Sequence, residues 1–325
     1  MHNDLPLVDT IDAEAADALL SRRDAIAKGA KTSAFVSAAL AFGSAPIALA
    51  ALSSEVYGQS ASRTVLQVLN YAFLLENLES EFYKAVLGTS AAAAVNTAFA
   101  PVRATFTQNE RDAFTLIARH EAAHVSFLAS AITASGGTPA TYTATSFDFT
   151  GGRGSGTGPF APATTAAGKP FLLLATQAFE DTGVRAYKGQ AEFLISSVAA
   201  TRNVLNAALR IHSVEARHAA HIRYLRRLAS PTTTALRLSG TVRGTGRAAA
   251  GAPAGTPEAI LGALDLIYAA EDTTTQAGFN AAGVTGAGAP FGANAASEAF
   301  DEPLTAAQVV AIVQPFVVAT IPANA

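Results

Sequence analysis

Glu121 and His124, in the run Arg119-His120-Glu121-Ala122-Ala123-His124, stand three residues apart. On a helix that spacing places both on one face, where a carboxylate oxygen and an imidazole nitrogen can reach the same ion. A single Glu-x-x-His is weak, because many helices carry such a pair as a solvated contact. The signature returns at Glu215-Ala216-Arg217-His218, and two other segments each carry a glutamate with a tyrosine seven residues later, Glu76 with Tyr83 and Glu180 with Tyr187. The resulting order, Glu, Glu-x-x-His, Glu, Glu-x-x-His, is the ligand set of dinuclear carboxylate sites in four-helix bundles.

Bringing Glu76, Glu121, Glu180 and Glu215 to one bundle core would cost several kcal/mol per ion in desolvation and repulsion, or force protonation. Two divalent cations balance four carboxylates, and neutral His124 and His218 complete the set. Oxygen-rich ligation with one imidazole per ion and no sulfur suits iron or manganese, with zinc also compatible. Glu79 competes with Glu76 for one ligand position; the gap-free alignment of Glu76 to Tyr83 with Glu180 to Tyr187 favours Glu76. Tyr83 and Tyr187, two turns from their glutamates, are placed to hydrogen-bond carboxylates or serve redox chemistry, and plain core packing suits them equally. The competing reading is a bundle without metal, its Glu and His side chains bridged to Arg119, Arg185 or Arg217. His120 falls off the metal face and reads as an ordinary, partly exposed histidine. His212 and His221 read as outer hydrogen-bonding or surface residues, and Glu110, three turns before Glu121, as a surface salt-bridge partner or part of an access path.

Four helices must carry these groups. An amphipathic pattern runs from Ser62 to Leu87 and stops at Gly88; a second runs from about Val102 to Ala134 and stops at Gly136-Gly137. A third follows Pro170, from about Phe171 to Ala199, and a fourth runs from about Arg202 to Ala229 before Pro231. Gly183 inside the third costs about 1 kcal/mol relative to Ala, which suggests close packing or a local distortion near the site. Residues 135–168 form a Gly-, Thr-, Pro- and Ser-rich linker. Its glycines lack the Gly-Lys-Ser/Thr ending of a phosphate loop, and its length suits a crossover along the whole bundle. After a linker at 231–256, a fifth helical pattern opens at Thr256-Pro257-Glu258 and runs to about Ala270. Thr305-Ala306-Ala307-Gln308 then reads as a capping-box start for a short last helix.

The ligand order, with Ala299-Phe300-Asp301-Glu302-Pro303-Leu304-Thr305 and Val309-Val310-Ala311-Ile312 further on, resembles the ferritin-like superfamily and in particular its bacterial, desiccation-related branch. The resemblance covers residues 62–230 well and the tail more loosely. It implies an all-α fold: a ferritin-like four-helix bundle with a long B–C crossover, an N-terminal leader over residues 1–54, and a mostly helical and irregular extension over residues 231–325 that packs on the bundle or builds a homo-oligomer contact. It implies a di-metal centre that oxidises Fe(II) or consumes O₂ or peroxide in stress protection, or else a structural, envelope-associated scaffold without catalysis.

The 325-residue chain is half apolar, only 14% charged and carries a net charge of −3, so nothing points to nucleic acid. It has no cysteine, which excludes disulfides, thiolate metal sites and cysteine nucleophiles. Arg22-Arg23 before the uncharged run from Thr32 to Ser54, with Ala48-Leu49-Ala50 as a cleavage site, reads as a twin-arginine export signal. That places the protein in the periplasm or cell envelope. The alternatives are an uncleaved membrane anchor over residues 32–54 and an ordinary buried helix in a cytoplasmic protein.

Overall fold

The computed structural model describes residues 63–229, 264, 266–268, 270–276, 278–286, 289–290, 292–318 and 321. The leader, the linker at 231–256 and most of the fifth helical pattern lie outside these residues. Among the described residues, no helix is long and apolar enough to cross a membrane.

Four long helices form the bundle: α1 (Val65–Leu87), α2 (Gln108–Ala134), α3 (Lys169–Gln190) and α4 (Ala199–Ala229). Helix α1 packs mainly on α2 and α3 on α4. Capping side chains set the boundaries. Thr64 and Gln67 form a capping box that starts α1, and Gly88, at φ 78°, ends it in the left-handed conformation that glycine adopts without steric cost. The Arg103 guanidinium then donates to Val86 O at 2.9 Å and Asn96 O at 3.1 Å, satisfying a carbonyl that the end of α1 leaves unpaired.

The second helical pattern is broken where the sequence suggested continuity. A short helix at Ala100–Arg103 stops, and α2 restarts at 108 because Thr107 and Glu110 form their own capping box. Glu110 makes the salt bridge the sequence suggested, to Lys169 Nζ at 3.0 Å, but it is buried rather than on the surface and also caps α2. That ion pair ties the start of α2 to the start of α3, so the two helices run parallel. Residues 135–168 supply the crossover a parallel step requires. The third helix ends at Gln190, earlier than its pattern suggested, and tightens into a 3₁₀ turn at Ala191–Leu194.

Asp148 organises the glycine-rich crossover. Its carboxylate accepts from Thr150 N, Thr150 Oγ1, Gly154 N and Gly156 N at 2.6–3.0 Å. Burial raises its pKa, but these donors outweigh burial and hold it below the usual value. The crossover is in turn pinned to the C-terminal segment through Asp148 N to Phe316 O at 2.7 Å and the antiparallel bridge of Phe147 with Val317.

The described part of the extension holds two hairpins of two-residue strands, Thr275–Gln276 with Phe279–Asn280 and Thr285–Gly286 with Ala289–Pro290. Two helices follow, α5 (Gly292–Glu298) and α6 (Ala306–Val313), the latter opened by the Thr305–Gln308 capping box. This segment packs on α3. Arg185, 2% exposed, donates from Nε to Glu302 O at 2.6 Å, pairs with Glu271 at 3.1 Å and also reaches Ile267 O. Leu304 N donates to Arg185 O at 3.2 Å, and Phe316 meets Phe179 edge-on with centroids 4.9 Å apart.

Gly189 is the closest point of this contact. A Cβ there would stand 1.9 Å from Leu304 O, and the obstacle is backbone that cannot rotate away. Gly189→Ala is expected to cost about 1–3 kcal/mol, the range for overpacking. The lowered urea midpoint should come with faster proteolysis of the segment around Leu304 than of the bundle.

Candidate metal centre

Each of the four long helices delivers its predicted side chains to one interior point. Glu76, Glu121, Glu180 and Glu215 are fully buried, and His218 and His124 are 4% and 9% exposed. Two overlapping groups result: Glu76, Glu121, His124 and Glu215 form one, and Glu121, Glu180, Glu215 and His218 the other. Within each group the ligand atoms lie within 4.8 Å of one another. Glu121 and Glu215, the two Glu-x-x-His carboxylates, belong to both and lie between them.

The nitrogens face inward. His124 Nδ1 is 3.0 Å from Glu76, 3.3 Å from Glu121 and 3.2 Å from Glu215. His218 Nδ1 is 2.9 Å from Glu121, 3.2 Å from Glu180 and 3.9 Å from Glu215. One imidazole nitrogen carries at most one proton and cannot donate to three carboxylates at once. Accordingly Glu121 Oε1 and both oxygens of Glu215 lack a hydrogen-bonding partner although fully buried. Such orphaned acceptors are rare in folded proteins, and ions between the carboxylates and the imidazoles would satisfy them all.

Electrostatics agree. Burial and then the neighbouring carboxylates push Glu121 and Glu215 well above the usual carboxylate range. Glu76 is opposite in sign: burial raises it, but the hydrogen bond and charge of His124 outweigh burial and lower it. Burial works against charge on both histidines, yet the close carboxylates of Glu121, Glu215 and Glu76 raise His124 to about 12, and Glu180 raises His218. The carboxylates thus favour the protonated form of both imidazoles.

Tyr83 on α1 donates to Glu180 on α3, and Tyr187 on α3 donates to Glu76 on α1. Each tyrosine lies two turns after its own helix's glutamate, so the reciprocal bonds require α1 and α3 to run antiparallel. These donors hold one oxygen of each terminal carboxylate and leave the other for the centre. Arg185 is turned to the C-terminal segment, and Arg119 and Arg217 are exposed, so the arginine-bridged reading does not describe this interior.

Two residues act differently from their sequence expectation. Glu79, offered by the sequence as the alternative to Glu76, is buried with it at 4% exposed, a fifth carboxyl group at the cluster that falls outside both groups of ligand atoms. Burial and then Glu215 and Glu180 push it well above the usual range. Gly183 explains how it fits, because a Cβ at 183 would stand 3.2 Å from Glu215 Oε2 and 3.3 Å from Glu79 Oε1. His120 is not an idle surface histidine either. Its Nδ1 lies 2.9 Å from His218 Nε2, the nitrogen turned away from the carboxylates, and the two rings stack. A helix-face argument restricted to α2 could not find it, because the contact is made across to α4. His212 remains half-buried, held below its usual pKa by burial, and His221 is exposed and edge-on to Tyr224.

No curated protein and no solved structure is significantly similar to the chain. The family model described as a ferritin-like domain matches residues 64–227, half of the chain and nearly all of the four helices that carry the cluster. The chain belongs to the ferritin-like family.

Proposed function

We propose that the protein holds two divalent ions, iron or manganese, between Glu76, Glu121, His124, Glu180, Glu215 and His218, and that it oxidises Fe(II) or consumes O₂ or peroxide in stress protection. The observation that supports this most directly is the set of fully buried, unpartnered oxygens of Glu121 and Glu215, which lie between two inward-facing imidazole nitrogens. A fold built only for shape would gain by replacing this charge with apolar side chains, since a buried ionic cluster is poor evidence of stabilisation on its own.

When bound, such ions supply Lewis acidity and redox equivalents to an oxidant. The chain's own contribution is positional. Tyr83 and Tyr187 orient the terminal carboxylates. Around them the aromatic packing of Phe82, Tyr83 and Phe114 keeps bulk water out and strengthens every charge interaction inside.

Native protein analysed for metal should contain two iron or manganese ions per chain. Stopped-flow absorbance after mixing reduced protein with O₂ or peroxide should show turnover. Stoichiometric metal with no turnover under either oxidant would instead support a structural, stress-protective scaffold. Removing metal from a protein that has it should lower the thermal midpoint, because an ion that binds only the folded state stabilises it by mass action.

The shared position of Glu121 and Glu215 makes a second prediction. Glu215→Ala should abolish binding at both positions, whereas Glu76→Ala should remove one ion and leave about one per chain. Equal losses from the two substitutions, read by metal analysis after gel filtration, would contradict the shared arrangement.

A further inference from the structure

The bundle is close to a two-fold repeat at the cluster: Glu76 and Tyr83 of α1 match Glu180 and Tyr187 of α3, and Glu121 and His124 of α2 match Glu215 and His218 of α4. The repeat fails at two places. Where α1 has Glu79, α3 has Gly183; where α2 has His120, α4 has Val214. Both departures fall on the same side of the cluster.

Glu79 reaches into the gap that Gly183 leaves, beside Glu215 Oε2. That oxygen is the one turned to His218, at 3.9 Å, while Glu215 Oε1 is turned to His124, at 3.2 Å. The Glu79 carboxyl group thus stands on the side of Glu215 that faces the position bounded by Glu180 and His218. His120 serves the same position: with an ion on His218 Nδ1, the proton sits on Nε2 and is donated to His120 Nδ1 at 2.9 Å. Val214 offers His124 no such acceptor.

We propose that the two metal positions are unequal: the one bounded by Glu180 and His218 fills first and holds its ion more tightly, because Glu79 adds a fifth carboxylate there and His120 fixes its imidazole. The inference rests on the two-ion reading above. An outer partner of a metal-bound histidine is in general worth 10–100-fold in affinity.

The test uses the full chain and Mn(II) alone. Crystals of metal-free protein given one equivalent of Mn(II) should show anomalous scattering mainly at the Glu180–His218 position. Isothermal titration should resolve two dissociation constants at least about tenfold apart. Glu79→Gln and His120→Phe should each shrink that separation by weakening the tighter site, while Val214→His should shrink it by tightening the weaker one. Metal-free thermal midpoints within a few degrees of the parent show that each variant folds. Equal occupancy at one equivalent, filling at the His124 position first, or a separation unchanged in both Glu79→Gln and His120→Phe overturns the inference while leaving the two-ion reading intact. Failure of Mn(II) to bind at either position overturns both.

Discussion

Five carboxylates and two imidazoles share one dry interior, and the rest of the bundle is arranged to tolerate them. Desolvating even one ionised carboxylate is costly, and here the anions also repel one another. The structure supplies two partial remedies of its own. Two tyrosine hydroxyls hold the terminal glutamates, and two histidines, their pKa values raised by the carboxylates around them, stand among the acids. Neither forms a hydrogen bond to Glu215, so the protein part alone leaves the balance incomplete.

Positioning follows from how the helices are joined. A short connection between α2 and α3 would set them antiparallel and carry Glu180 to the wrong end. The 135–168 crossover, pinned by Asp148 and by the Lys169–Glu110 pair, makes the parallel step and brings Glu180 level with Glu121. With α1 and α3 then antiparallel, one spacing, glutamate to tyrosine over two turns, suffices for each helix to support the other's ligand.

Much of this was legible in the residues themselves. The doubled Glu-x-x-His, the two Glu-to-Tyr intervals and the linker length contain the bundle, its topology and the six inward side chains, because all follow from helical period and chain reach. The residues that were misjudged depend on contacts between helices that no single-helix pattern encodes. Glu79 looked like a competitor for Glu76 until Gly183, more than a hundred residues later, proved to be the space it occupies. His120 looked rotated away from the site because the partner that gives it a role stands on α4. Asp148 sat in a loop whose composition suggested only a spacer, and apart from the Thr150 hydroxyl its anchoring donors are backbone amides with no side-chain signature. Thr107 and Glu110 did carry a capping signature, but the apolar pattern running through them hid it.

The C-terminal segment bears on the same centre indirectly. It fastens to α3 at Arg185 and Gly189, within one to two turns of Glu180 and Gly183. Gly183 already weakens α3 as a helix by about 1 kcal/mol, and it does so where Glu79 and Glu215 press against it. A helix with a glycine at that point gains from an outer brace, and the bonds of Arg185 to Glu302 O and of Leu304 N to Arg185 O supply one on the face opposite the carboxylates. Loss of the brace would therefore be felt first at Glu180, the carboxylate that α3 contributes to the cluster.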